Sequence, residues 1–162
     1  MGLTLRRRAT AAAVAAVAAL CAAPARGTAR PLPTLLGDSL SRPGYYSWQI
    51  RPAHIVYTGD GSGVLGGFDG VDGRKRPGHL KWRKWGRTQA LGSGAVWLDD
   101  CTPDCADGTF HPHPVQVVAF RPVKRHFTRL TLSYTYHGKR EIDRRGISRA
   151  HGYWDYYIVG HP

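Results

Sequence analysis

Residues 129–136 alternate without a break. Leu130, Leu132, Tyr134 and Tyr136 fall on one side, and Arg129, Thr131, Ser133 and Thr135 on the other. A period of two marks a half-buried β-strand, because successive side chains leave opposite faces of the pleat. The same signal recurs. Tyr46, Trp48 and Ile50 alternate with Ser47, Gln49 and Arg51, and the pattern resumes over 54–58 after Pro52. Residues 115–120 are apolar on both faces, as in a strand covered on both sides, with Pro114 and Pro122 bracketing them. Residues 153–159 are rich in aromatic and β-branched side chains. Val64 with Leu65, and residues 95–98, are shorter candidates. Residues 80–85 fit two readings, since Leu80 and Trp82 alternate while Trp82, Trp85 and Gln89 make a helical stripe. Gly86 and Thr88 weaken the helix, so a strand is favoured.

Glycine and proline punctuate these segments. Gly59-Asp60-Gly61-Ser62-Gly63 and Gly92-Ser93-Gly94 read as turns, and 69–79, 99–108 and 137–151 read as loops. No repeat of 20–50 residues is present. The expected fold is all-β, an antiparallel barrel or sandwich of about seven or eight short strands after an N-terminal signal helix. Residues 1–25 read as a signal peptide: Arg6, Arg7 and Arg8, an Ala/Val/Leu run, then Ala23-Pro24-Ala25 with cleavage after Ala25. The run is too short for a stable span, and Leu20 before Cys21 argues against lipidation. Residues 26–44, with Pro31, Pro33 and Pro43, read as an irregular leader, and 45–162 as a single β domain. The expected location is therefore secreted or cell-wall associated. In that oxidising setting Cys101 and Cys105 form a disulfide candidate that pins a small loop.

Charge directs the functional reading. The chain carries 23 Lys and Arg against 11 Asp and Glu, for a formal charge of +12. Arginine, which suits bidentate contacts with phosphate and carboxylate, dominates lysine. An exported protein of this kind is drawn to an anionic polymer, whether wall polymer, glycan or nucleic acid. Residues 74–87 hold seven cations and no acid, and residues 121–151 hold nine with two acids. Trp82 and Trp85 among Arg83, Lys84 and Arg87 are read as an exposed aromatic pair set in cations. With Arg125, Arg129, Arg140 and Arg144 they make up the candidate binding set. The leading expectation is a non-catalytic secreted binder. The alternative is a small hydrolase of nuclease type, and a third reading is a structural or partner-binding role.

Other constellations are weaker. Residues 61–66 match a dinucleotide fingerprint, but a glycine-rich hairpin explains them without the strand and helix that the fingerprint needs. Asp60, Asp99, Asp100, Asp104 and Asp107 offer oxygen ligands for calcium in no recognised spacing, and capping of turns or pairing with the basic stretches is the simpler role. His111 and His113 share a strand face, where Asp99, Asp100 or His54 could complete a Zn²⁺ or Cu²⁺ site, but a pair of surface histidines is the simpler reading. No metal or cofactor is assigned. For catalysis, Glu141 with His126, His137 or His151, and Arg140 or Arg144 as a phosphate clamp, is the pairing the inventory allows.

One set of motifs carries a resemblance: Trp48-x-x-Arg51-Pro52, the Thr58 to Gly63 turn, Trp82-x-x-Trp85, Gly92-Ser93-Gly94-x-x-Trp97, and the Cys-Thr-Pro-Asp-Cys-Ala-Asp-Gly-Thr run at 101–109. In this order, over roughly residues 45–136, the chain resembles short secreted actinobacterial hypothetical proteins of unassigned function. The run at 101–109 is its most specific part. The resemblance implies a compartment and no chemistry, so no residue role follows from it.

Overall fold

The computed structural model describes residues 29–38, 46–69, 74–150 and 153–159. Residues 1–25, expected to be a signal peptide, and His151 lie outside the described residues. Within them the chain is all-β, without a helix, and every strand pairing is antiparallel.

Twelve strands are described: β1 (Leu35–Asp38), β2 (Tyr46–Gln49), β3 (Ile55–Val56), β4 (Gly63–Leu65), β5 (Phe68–Asp69), β6 (Lys75–Arg76), β7 (Lys81–Trp85), β8 (Gln89–Asp99), β9 (Phe110–Val123), β10 (His126–Tyr136), β11 (Lys139–Ala150) and β12 (Tyr153–Ile158). Seven of them run β12-β11-β10-β9-β8-β4-β3 and curl into a half-barrel. Strand β8 divides its second edge: Ala90, Leu91, Gly92 and Ser93 pair with β7, and Val96, Trp97 and Leu98 pair with β4.

Strand β1 lies against the open side of the curl. At one end Thr34 N–H donates to the Arg125 carbonyl (2.9 Å), and Phe127 N–H donates to the Thr34 carbonyl (2.8 Å). At the other end Asp38 N–H donates to the His54 carbonyl (3.0 Å). The Tyr156 hydroxyl of β12 donates to the Leu36 carbonyl between them (2.5 Å). Leu35 and Leu36 are both fully buried, in one cluster with Ile55, Tyr57, Leu65, Trp85, Val117, Phe127, Leu130 and Leu132. The described part of the segment read as an irregular leader, residues 29–38, thus contains a four-residue strand that belongs to the core, obscured in the sequence by Pro31 and Pro33.

Three other expectations change. The Gly92-Ser93-Gly94 motif is no turn, because β8 passes straight through it. A Cβ on Gly92 would stand 2.8 Å from the Trp82 ring, so glycine there permits close approach of the indole. Residues 139–150 are strand and not loop: their charges hid a period of two, and a tight turn at His137 and Gly138 folds them back on β10. Strand β9 extends through Pro112, Pro114 and Pro122. The first two lie where β8 alone is paired to it, and Pro122 where β10 alone is. A proline without an N–H is tolerated at such edges.

Strand β7 resolves its own ambiguity. Trp82 pairs with Gly92 and Trp85 with Ala90, with a register shift between Trp82 and Lys84. The extra residue turns a spacing of three into one shared face, since a bulge sets two residues against one. A helix-like stripe is in fact a bulged strand.

If β1 is core, Leu36→Ala should lower unfolding free energy by about 2–5 kcal/mol, the usual range for truncating a buried leucine. Urea denaturation measures this, and a change below about 0.5 kcal/mol, the scale of surface substitutions, would return residues 26–44 to the status of a leader.

Candidate anion-binding site

Strand alternation sorts the charges of β11. Glu141 pairs with Tyr134, Asp143 with Leu132 and Arg145 with Leu130. Leu130 and Leu132 point into the core, so these three charged residues share the concave side. Arg145 is held there by two hydrogen bonds to Asp143, at 2.8 and 2.7 Å, and its guanidinium lies 5.1 Å from the Tyr57 ring centre. Burial pushes the Tyr57 phenol far above its usual range. The even-numbered residues, Arg140 and Arg144, share the outer face with Thr135 and Thr131. One strand therefore turns its two acids inward and two arginines outward.

On that outer face a shallow groove of about 170 Å³ crosses β10. Phe120, Leu130 and Val159 contribute apolar lining with Thr131 among them, Arg121, Arg129 and Arg144 supply the charge, and Arg145 borders the groove with its guanidinium paired to Asp143. No carboxylate lines it. Arg129 is oriented by its surroundings. Its Nη1 donates to the Tyr157 hydroxyl at 2.8 Å and to the Thr128 carbonyl at 3.1 Å. Tyr157 reaches that position because it pairs with Gly146, where a Cβ would collide with the phenol ring. Arg121 projects from a left-handed backbone (φ 54°) whose carbonyl accepts the Thr128 hydroxyl at 2.8 Å. Beyond the groove Arg140 Nε donates to Ser133 Oγ at 3.1 Å.

The expected binding residues divide. Arg129 and Arg144 line the groove, and Arg140 continues its face. Arg83, Lys84 and Arg87 are exposed. Lys84 reaches Arg144 only through Leu91, Val118 and Thr131, four strand steps or about 19 Å. Arg125 is exposed in the turn between β9 and β10 (φ 67°), at the same end of the sheet as Arg87. Trp82 and Trp85 do not form an exposed platform. Trp85 is buried and donates to the Pro33 carbonyl, and Trp82 is half-buried and donates to the Pro52 carbonyl, both at 2.8 Å. Their rings pack edge to face at 4.7 Å. A large apolar ring with one N–H to satisfy is better placed in the core. Arg121, Phe120, Tyr157 and Val159 were missed, since nothing in their local sequence separates them from other strand residues.

The remaining constellations take structural places. Cys101 and Cys105 have their sulfurs at bonding distance, 2.06 Å. Asp99 accepts the Cys101 N–H, Asp100 accepts those of Thr102 and Thr109, and Asp104 accepts those of Ala106 and Asp107. His111 Nε2 lies 3.1 Å from Asp100 Oδ2, and His113 packs on the Tyr136 ring. Among the described residues no three His, Cys, Asp or Glu side chains are grouped to hold a metal. His126 is eight residues along β10 from the partner of Glu141, about 26 Å, so the register keeps that pair apart. His126 instead lies 2.7 Å from Thr34 Oγ1 and stacks near Trp48 at 4.0 Å. The His137 ring rests on Tyr136. No described helix is long and apolar enough to cross a membrane. Comparison with known protein families, curated proteins and solved structures finds no match.

Backbone hydrogen bonds from Thr109 and Thr102, then the His111 contact, hold the Asp100 carboxyl below its usual range. A depressed folded pKa makes its contribution to stability present above the unfolded value, about 3.9, and lost as pH falls through the folded one. Asp100→Ala should flatten that part of the acid-unfolding curve. A curve identical to that of the unaltered protein, or a carboxyl resonance titrating at or above about 3.9, would contradict the assignment.

Proposed function

We propose that the protein is a secreted, non-catalytic binder of an anionic polymer of the cell envelope or extracellular space, engaging it through the outer face of β10 and β11. The groove holding Arg121, Arg129 and Arg144 without a lining carboxylate carries the reading. Guanidinium groups gathered without acids attract phosphate, sulfate and carboxylate groups alike. The N-terminal arginines with their apolar run, and the cysteine pair at 101 and 105, support export. Stacking on Trp82 and Trp85 has no part in the proposal, because Trp85 is buried, Trp82 is half-buried and each donates its indole N–H to a backbone carbonyl.

Binding of this kind weakens steeply with salt, since each neutralised anion releases counterions. Binding of a labelled dextran sulfate should fall linearly on a log–log plot against salt. Arg144→Ala and Arg140→Ala should each reduce the slope by about one. An absence of binding at low ionic strength would overturn the proposal, and unchanged slopes in both variants would move the surface elsewhere.

A further inference from the structure

We infer that the groove is built for the tetrahedral phosphate of a polyol phosphodiester chain, with Arg129 as its anchoring fork. This rests on the anion-binding reading above and names the ligand class of the same site. A guanidinium has five N–H donors in a fixed plane. The two on Nη1 of Arg129 go to Tyr157 and Thr128. The Nε and Nη2 donors stay available, and together they form the edge that meets two oxygens of one oxyanion. Tyr157 is thus a positioning residue: its ring lies where Gly146 has no side chain, and its hydroxyl fixes which edge Arg129 presents.

One fork satisfies the two coplanar oxygens of a carboxylate. This groove holds two further guanidinium groups. Arg121 and Arg144 have no side-chain hydrogen bond or ion pair with any described residue, whereas Arg145 is spent on Asp143. Three cations approaching from different strand positions fit oxygens that point out of one plane, which is the geometry of a tetrahedral group. Arg140 then extends the line, four residues along β11 from Arg144 or about 13 Å. A free phosphate fills the groove without reaching Arg140, while a chain with repeated phosphates spans both. No tryptophan lines the groove, and the Tyr157 ring beside it carries the Arg129 guanidinium 5.7 Å from its centre, so the site offers charge and no indole face for stacking nucleic-acid bases.

The test compares three chains of equal charge, poly(glycerol phosphate), an oligothymidylate and polyglutamate, titrated at low salt into the protein. The phosphate polyol should bind at least tenfold more tightly than polyglutamate and no more weakly than the oligonucleotide. Arg129→Lys keeps the charge but loses the fork, and should weaken phosphate-polymer binding about tenfold. Tyr157→Phe keeps the ring, and should weaken phosphate-polymer binding without changing its salt slope. Inorganic phosphate should compete only in large excess over polymer phosphate. Equal binding of polyglutamate with a neutral Arg129→Lys would overturn the phosphate assignment while the anion-binding proposal stands. Tighter binding of the oligonucleotide would overturn the polyol, and competition by phosphate at matched concentration would overturn the polymer. If none of the three binds, the proposed function fails along with the inference.

Discussion

The described sheet is a curl that β1 straps. Its backbone reaches β10 through Thr34 and β3 through Asp38, and between those points it receives the Tyr156 hydroxyl from β12. With Leu35 and Leu36 buried on either side of the strand, the strap is also core. An open curl would leave Ile55, Phe127, Leu130 and Leu132 facing water. Covering them adds apolar burial at roughly 25 cal/mol per Å², the main favourable term available to a single small domain. The position of β10, and so of the arginines on its far side, depends on that closure.

Once the sheet is closed, the placement of charge follows from parity. The two faces of β10 and β11 belong to different environments, core on one side and solvent on the other. Along β11 the acids occupy odd positions and the groove arginine an even one. Lys139, Arg145 and Arg149 share those odd positions, and Arg145 takes Asp143 as its partner. The outer face keeps uncompensated charge because its acids are on the other side of the same strand.

Much of the architecture was legible. The alternation at 129–136 marks β10 with both faces correctly assigned, and the all-β class follows from repeated short patterns between turns. What hid the rest has physical causes. Prolines made the approach to β1 and the ends of β9 look irregular, though prolines are tolerated at edges that need no N–H. Gly92 and Gly94 looked like a turn because sequence does not show an indole pressing on the backbone. The bulge at Arg83 gave β7 a helical spacing. For the site, Arg129, Arg140 and Arg144 stood out by charge alone. Arg121 and Tyr157 join them only through register, and the paired tryptophans were misplaced because their flanking cations suggested exposure.

The central claim, that charge sorted to the outer face of β10 and β11 forms the binding surface, is tested most directly by amide chemical-shift mapping during titration with a phosphate polymer. The account predicts that shifts concentrate at Arg121, Arg129, Thr131, Arg144 and Tyr157, with β7 and the concave residues Tyr57 and Asp143 little changed. Shifts centred on Arg83, Lys84 and Arg87, or spread evenly over the surface, would contradict it.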